Sequence, residues 1–283
     1  MRKNGVIAAL LSIVLLLAAG CGANNTSNDT TGNETSKEKK KITFGATAGP
    51  YSDMVTKAIK PIMEAKGYAL EVIEFNDYVQ PNKALAGGSL DANLFQHIIY
   101  LKKFAEDNKL DLVDVISVPT APMGLYSKKF KTVEEITDGA ELAIANDPAN
   151  LARSLLLLQD LGLIKVKADA DPTKISEKDI AENPKNLKIS LLEAAQLPRT
   201  VEGTDLAVVA GNFALAAKMD LNSAIKLENM AENYRNVIAI NTKDSDGQFV
   251  KDLKETVESD EFERAIDEYF QGFSKPEWMA AKQ

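Results

Sequence analysis

Three short stretches carry the side chains whose chemistry could form a site. The segment SLDANLFQHIIYL holds the only histidine of the chain, His97. An imidazole can act as a general base, bind a metal, line a ligand pocket or lie in the core. Phe95 and Tyr100 are its neighbours, and Tyr78 follows the preceding predicted strand, in a chain with only 6% aromatic residues. This grouping indicates a pocket wall; the ordinary alternative is two core rings and a histidine bonded to a backbone carbonyl.

The second stretch, NDPANLAR, combines an amide with a guanidinium. Asn150 and Arg153 are three residues apart, so they share one face of the helix predicted there. They lie in its first two turns, where free backbone N–H groups and the helix dipole favour an anion. Since arginine can hold a carboxylate through two parallel hydrogen bonds, the stretch predicts a carboxylate site. The ordinary alternative is an exposed arginine that pairs with a nearby acid.

The third stretch, AVVAGNFA, places Gly211 and Asn212 between an apolar strand and a helix. Asn212 could cap that helix or offer its amide to the polar end of a ligand. The sequence contains none of the enzyme motifs G-x-S-x-G, P-loop and G-x-G-x-x-G. Asp77, Asp91 and Asp147 are candidates for acid–base work, but each lies where a turn or cap also favours aspartate. The residues give no positive support to catalysis.

The N-terminal residues predict a targeting segment. Two basic residues precede an apolar run at 5–19, and LAAGC then ends at Cys21. The run is short for a membrane span, and the pattern resembles a bacterial lipobox, so we predict a signal peptide over 1–20 and a lipid on Cys21. The alternative is a core cysteine after a buried helix. Residues 21–41 are polar and charged, which predicts a flexible tether with an r.m.s. span of roughly 25 Å.

Composition narrows the function classes. The 283 residues carry a net charge of −8 with scattered acids, which argues against a nucleic-acid-binding surface. With its only cysteine lipidated, the chain offers no disulfide and no Cys/His catalytic pair. One histidine is too few for the usual zinc site, and we expect no metal and no cofactor.

The apolar pattern alternates between strand and helix periodicities. Strands are predicted at 42–46, 70–75, 91–95, 112–118, 141–145, 187–192, 205–211 and 236–240. Helices are predicted at 52–66 with a kink at Pro61, at 80–86, 96–108 and 147–162, after a Thr132–Glu135 capping box, and over most of the C-terminal end. This order indicates an α/β protein with mainly parallel sheets, and two lobes of about a hundred residues each fit the length. Ligands of such lobes bind at the carboxyl ends of strands or between the domains.

Five blocks resemble, in order, the signatures of the MetQ/NlpA lipoprotein family, the substrate-binding proteins of methionine ABC transporters. The blocks are GATAGPYSDM, DYVQPNKALAGGSLDANLFQHIIYL, APMGLYSKK, IANDPANLARSLLLLQ and EAAQLPRTVEGTDLAVVAGNFA. The resemblance runs from about residue 41 to the end of the chain. Departures from the family pattern occur at Ala48, Tyr51, Ile99 and Ala210, where the family often has Pro, His, Pro and Asn.

The resemblance implies a two-lobed periplasmic-binding-protein fold of type II, with the ligand cleft between the lobes. Lobe I would comprise residues 42–120 plus 236–283, and lobe II residues 121–235. The protein would be a non-enzymatic, lipid-anchored monomer on the outer face of the cytoplasmic membrane that delivers methionine to an ABC permease. The alternatives are a binding protein for a methionine dipeptide of the Gly-Met type or another small amino-acid derivative, a carboxylate-dependent hydrolase, and a surface adhesin.

The resemblance also implies roles for individual residues. Arg153 would hold the α-carboxylate of methionine with Asn150 beside it, and Asn212 would bond the backbone end of the amino acid. The thioether would lie against aromatic rings, which make favourable contacts with sulfur. The expected wall is formed by Tyr78, Phe95, His97 and Tyr100.

Overall fold

The computed structural model describes residues 40–281 of the chain. The predicted signal peptide, Cys21 and nearly all of the predicted tether lie outside the described residues. The tether prediction is wrong at its end, because residues 40 and 41 pair with Tyr68 and Ala69 as the first strand of a sheet. Within 40–281, no helix is both long enough and apolar enough to cross a bilayer.

The described residues form α-helices and β-strands in alternation. The strands are β1 (Lys40–Thr47), β2 (Tyr68–Phe75), β3 (Ala92–His97), β4 (Leu112–Val118), β5 (Gly124–Tyr126), β6 (Glu141–Ala145), β7 (Lys165–Val166), β8 (Ile180–Glu182), β9 (Lys188–Leu192), β10 (Leu206–Val209), β11 (Lys226–Leu227) and β12 (Asn236–Asn241). The α-helices are α1 (Pro50–Met54), α2 (Lys60–Ala65), α3 (Gln80–Ala86), α4 (Ile98–Asn108), α5 (Pro148–Asp160), α6 (Leu197–Thr200), α7 (Gly211–Ala216), α8 (Gln248–Val257), α9 (Asp260–Tyr269) and α10 (Glu277–Ala280).

Two five-stranded sheets divide the fold into two lobes. The sheet of lobe I has the order β2-β1-β3-β12-β4, and the sheet of lobe II has the order β11-β5-β10-β6-β9. In lobe I, β1 runs parallel to β2 and β3, whereas β12 is antiparallel to β3 and β4. In lobe II, β6 is parallel to β9 and β10, and β5 is antiparallel to β10 and β11. The two-lobed α/β fold predicted from the sequence is confirmed. The prediction of mainly parallel sheets is wrong, because two of the four strand pairings in each five-stranded sheet are antiparallel.

Each lobe has its own apolar core, because the inner strands are covered on both faces. The lobe I core packs Phe44 of β1 against Met54 of α1 and Phe262 of α9, all fully buried. The lobe II core packs Leu125 of β5 against Leu155 of α5 in the same way. A separate small cluster joins Phe95 and Tyr100 of lobe I to Ala149 of lobe II. The two lobes are therefore in apolar contact at this cluster.

Two crossovers connect the lobes, at 119–123 between β4 and β5 and at 228–235 between β11 and β12. They are joined where the backbone N–H of Asn236 donates to the Thr120 hydroxyl at 2.8 Å. The first crossover also passes close to Gly211, where a Cβ would lie 2.5 Å from the Pro122 carbonyl oxygen. Position 211, where α7 begins, therefore requires glycine, because the first crossover leaves no room for a Cβ.

Two predicted elements differ from the observed ones. Gln96 and His97 were expected in the helix but belong to β3, because β12 pairs with both and continues the ladder. No helix follows Thr132; the Glu135 carboxylate accepts the N–H of Lys131 at 2.7 Å and the segment forms turns.

The first predicted helix is interrupted at the expected place. The segment Val55–Ile59 is π-helical and lies just before Pro61, which has no N–H for the helical ladder. The strands β5, β7, β8 and β11 were not predicted, since two or three residues are too few to show a period.

Candidate ligand-binding site

A cavity lies between the lobes, at the carboxyl end of β3 and the N-terminal ends of α5 and α7. Its lining contains six of the seven predicted site residues; Arg153 lies nearby but outside the lining. The complete lining is Tyr51, Tyr78, Phe95, Gln96, His97, Tyr100, Asn150, Asn212 and Asn236. The structure thus brings together residues from both lobes, including Asn236 at the start of β12.

Aromatic rings form one wall of this cavity. The Tyr78 ring lies 5.7 Å from Phe95 and 5.7 Å from Tyr100, and Phe95 lies 6.0 Å from Tyr100. Phe213 of lobe II closes the group, with its ring centre 4.8 Å from that of Tyr78. His97 lies edge-on to Tyr100 at 6.3 Å. Tyr78, Phe95 and Tyr100 are therefore in mutual contact, His97 joins them through Tyr100, and the wall continues into lobe II through Phe213.

His97 is a neutral ring that joins the two lobes. Its Nδ1 accepts the backbone N–H of Tyr100 at 3.2 Å, so the proton must lie on Nε2, which contacts the Asn150 Oδ1 at 3.2 Å. The Asn150 amide nitrogen in turn donates to the Asp147 carboxylate at 3.1 Å. Burial and the positive charge of Arg153 lower the pKa of His97 to about 3. Both ring nitrogens are occupied, so the ring has no free nitrogen for base catalysis or metal binding.

Asn212 offers an unused donor to the cavity. The Tyr78 hydroxyl of lobe I donates to its Oδ1 at 2.6 Å, which is a second polar contact between the lobes. The Asn212 Nδ2 has no hydrogen-bond partner, although the residue is only 4% exposed. Buried amide donors are normally paired, because an unpaired one costs about 1–3 kcal/mol. This amide is the clearest sign that the cavity binds a polar ligand group.

Arg153 is buried behind the cavity in a bidentate ion pair with Glu228. Its Nε donates to Glu228 Oε2 at 2.8 Å and its Nη2 donates to Glu228 Oε1. The two side chains are 6% and 8% exposed. Burial by itself lowers the pKa of Arg153, but the carboxylate outweighs this effect and the pKa is raised. The sequence alternative of an exposed arginine is wrong, whereas its pairing with an acid is observed.

Sequence reasoning missed several residues of the site. Tyr51, Gln96 and Asn236 line the cavity, and Glu228 holds Arg153. Tyr51 could have been found as the position where the family often has His, but Glu228 lies in the polar stretch ENMAENYRN, which has no helical or strand period. The Gln96 amide is fixed by Asn82 through two reciprocal hydrogen bonds of 2.7 Å.

The cavity is small. Its free volume is about 10 Å³, roughly the space of one water molecule. An outer cavity of about 270 Å³ shares Tyr78 and Tyr100 with it and is lined by the acids Asp77, Asp147 and Glu193. An amino-acid-sized ligand therefore needs the lobes to separate or the Tyr78 ring to turn.

A larger cavity and a metal site are the two alternatives to the interlobe cavity. A larger cavity of about 400 Å³ lies in lobe II beside Tyr126, Lys128 and Asp220, and it shares no residue with the interlobe cavity. Among residues 40–281, no group of three or more His, Cys, Asp or Glu side chains is placed to hold a metal ion. Polar side chains from both lobes line the interlobe cavity. The interlobe cavity is therefore the better candidate for a ligand-binding site.

Comparison with known proteins shows the family of the chain. The family model described as NlpA lipoprotein matches residues 42–278. The chain belongs to the NlpA lipoprotein family. Among the relatives of this NlpA lipoprotein, the D-methionine-binding lipoprotein MetQ of Salmonella typhi is 38% identical over 282 residues, which cover 98% of each chain.

Two other similar proteins match most of this chain. The methionine-binding lipoprotein MetQ of Bacillus subtilis is 32% identical over 279 residues, which cover 97% of this chain and 98% of that one. A nutrient binding protein from Burkholderia cenocepacia, solved bound to methionine, is 45% identical with a TM-score of 0.78. The superposition covers 82% of this chain and 97% of that chain. The family predicted from the five sequence blocks is confirmed.

Proposed function

We propose that this protein is the substrate-binding protein of a methionine ABC importer. The observation that carries the proposal is the unpaired, buried amide of Asn212 beside an aromatic wall, in a cavity between two lobes. A methionine zwitterion matches both parts, because its backbone end needs hydrogen bonds and its thioether packs well on aromatic rings. The names of the relatives from Salmonella typhi and Bacillus subtilis support the same ligand.

The ligand carboxylate is proposed to meet Arg153 and Asn212. Arginine has five N–H donors, and Glu228 takes two of them, which leaves three for a ligand. Asn150 fits a different role from the one expected, since its amide is used by Asp147 and His97. We therefore assign to Asn150 the orientation of His97, and to His97, with the aromatic rings, a place in the wall around the ligand side chain.

Ligand capture is proposed to follow from rotation of the lobes about the two crossovers, with lobe limits at 42–120 plus 236–283 and 121–235. Two polar contacts, Tyr78 to Asn212 and His97 to Asn150, form only when the lobes are closed. A ligand that bridges both sides stabilises the closed arrangement by its greater affinity for it. The closed form is then the one that a permease would recognise.

We also propose that the protein acts at the membrane surface, beside a permease. A lipid on Cys21 would anchor the protein on the outer face of the cytoplasmic membrane, and it would act there as a monomer beside an ABC permease. The protein would bind its ligand without converting it. The occupied nitrogens of His97 support this, since the only imidazole of the chain is not free to act as a base.

A second candidate ligand is a methionine dipeptide of the Gly-Met type. It is favoured by the outer cavity, whose three acids could receive the ammonium group of an additional N-terminal residue. In this case the methionine part would occupy the inner cavity and the peptide group would pass the Tyr78 ring. The two candidates differ in size and in the position of the ammonium group.

Thermal unfolding of ligand-stripped protein separates these ligands. Methionine at a thousandfold excess over Kd stabilises by about 4 kcal/mol, which corresponds to a rise in Tm on the order of 10 °C. Norleucine lacks the sulfur and should give a smaller shift, and leucine almost none. A larger shift with Gly-Met would move the assignment to the dipeptide, and no shift with either would refute the proposal. Mass spectrometry of the recovered ligand should show no turnover, because turnover would indicate the hydrolase alternative.

A further inference from the structure

The Glu228 side chain is fixed in one position by its hydrogen bonds. Its carboxylate accepts three N–H groups: the Nε and Nη2 of Arg153, and the backbone N–H of Met123 at 2.6 Å. Its own backbone N–H donates back to the Met123 carbonyl at 2.9 Å. The pair is buried, and removal of one partner would leave a buried charge unpaired. Glu228 is thus a permanent part of the site and keeps Arg153 neutralised.

The other charges near the cavity have the same sign as Glu228. Asp147 is hydrogen-bonded to Asn150 and lines the outer cavity together with Asp77 and Glu193. The linings of the inner and outer cavities include no lysine and no arginine. Arg153 lies behind the inner cavity, and Glu228 already balances its charge.

We infer that Glu228 makes the site selective for ligands that carry a positive group, so that a zwitterion is accepted and a simple carboxylate is rejected. The inference rests on the proposed function, which supplies the amino-acid ligand. The physical reason is charge balance: a zwitterion adds no net charge to a buried neutral pair, whereas an anion adds one that nothing nearby offsets. Arg153 then directs the carboxylate by hydrogen-bond geometry rather than by net charge.

The wild-type protein gives the first test. Calorimetric titration would compare L-methionine with methioninamide, which keeps only the ammonium group, and with 4-(methylsulfanyl)butanoate, which keeps only the carboxylate. The expected order of affinity is methionine, then the amide, then the butanoate. An arginine that is not neutralised would give the reverse order for the two analogues. Tighter binding of the butanoate than of the amide would overturn the inference.

The substitution Glu228→Gln gives the second test. It removes the charge and keeps the shape, so the preference for methionine over the butanoate should fall at least tenfold, about 1.4 kcal/mol. The butanoate lacks the ammonium group, and the hydrogen bonds lost with that group are the same in wild type and in Glu228→Gln. A change in the ratio of the methionine and butanoate affinities therefore reports the charge at position 228. The control Glu232→Gln alters an acid of the same crossover that pairs with Arg235 at 3.3 Å outside the cavity lining, and its ratio should not change.

The outcomes separate the inference from the proposed function. Wild-type protein that binds methionine, with an unchanged ratio in Glu228→Gln, refutes the role of Glu228 alone. Stripped wild-type protein that binds none of the three compounds refutes both. If Glu228→Gln fails to fold, as judged by circular dichroism, the order of the two analogues on wild-type protein decides the question.

Discussion

The hydrogen bond between Tyr78 and Asn212 allows a direct test of closure on the ligand. The substitution Tyr78→Phe removes the hydroxyl that donates across the lobes at 2.6 Å. The ring and its contacts with Phe95, Tyr100 and Phe213 are kept. The change therefore acts on the polar contact between the lobes and leaves the aromatic wall in place.

The size of the effect follows from what the substitution leaves behind. In the closed form the Asn212 Oδ1 becomes a buried acceptor with no partner, which costs about 1–3 kcal/mol. In an open form the same oxygen is hydrated, so the cost falls on closure alone. Because the ligand binds through the closed form, its affinity should decrease by about 5- to 150-fold. The Tm of ligand-free protein should change little.

Calorimetric titration with L-methionine, together with thermal unfolding without ligand, measures both quantities. The control is Tyr68→Phe, which removes a hydroxyl that bonds Asp252 at 2.5 Å within lobe I. The control should lower the Tm of the ligand-free protein and leave affinity unchanged. Methionine affinity within twofold of wild type in Tyr78→Phe would refute the role of this bond in closure.

Three further predictions concern Arg153, His97 and Gly211. Arg153→Ala should weaken methionine binding at least a hundredfold in calorimetry, since the buried ligand carboxylate loses its charged donor; near-native affinity would show that the guanidinium does not contact the ligand. The pKa of His97 is lowered to about 3 in the folded protein. Below pH 6.5 this histidine therefore binds a proton in the unfolded chain but not in the folded protein, so stability falls as the pH decreases. Urea unfolding should show about 2 kcal/mol of this loss between pH 7 and pH 5 in wild type but not in His97→Gln, and equal slopes would contradict it. Gly211→Ala should cost about 1–3 kcal/mol of stability because its Cβ would meet the Pro122 carbonyl, whereas Gly203→Ala, with nothing within 4 Å, should be close to neutral in thermal unfolding.

The parts of the site that could be predicted from sequence are those that follow a recognisable element. His97, Asn150 and Asn212 each lie at a strand end or in the first turn of a helix, and those positions face the cleft in an α/β lobe. Their neighbours Phe95 and Tyr100 stand out because aromatic residues are rare in the chain. Local pattern indicates candidate site residues and leaves the ordinary alternatives open, and the resemblance to the family is what assigns these side chains to one site.

The parts that could not be predicted depend on contacts between distant segments. Glu228 meets Arg153 across 75 positions in the sequence, and no spacing rule connects a crossover with a helix face. The sequence pattern predicts Asn236 as the first residue of an ordinary strand, but its backbone N–H bonds Thr120 of the first crossover and the residue lines the cavity. The extension of β3 through His97 has the same origin, because its partner β12 returns from the far end of the chain.

A crystal structure of ligand-stripped protein supplied with L-methionine tests the proposed binding site. We expect methionine in the interlobe cavity, with its carboxylate on Asn212 and Arg153 and its thioether against Tyr78 and Phe95. Methionine bound in another place, such as the lobe II cavity beside Tyr126, or no bound methionine at saturating concentration, would contradict it.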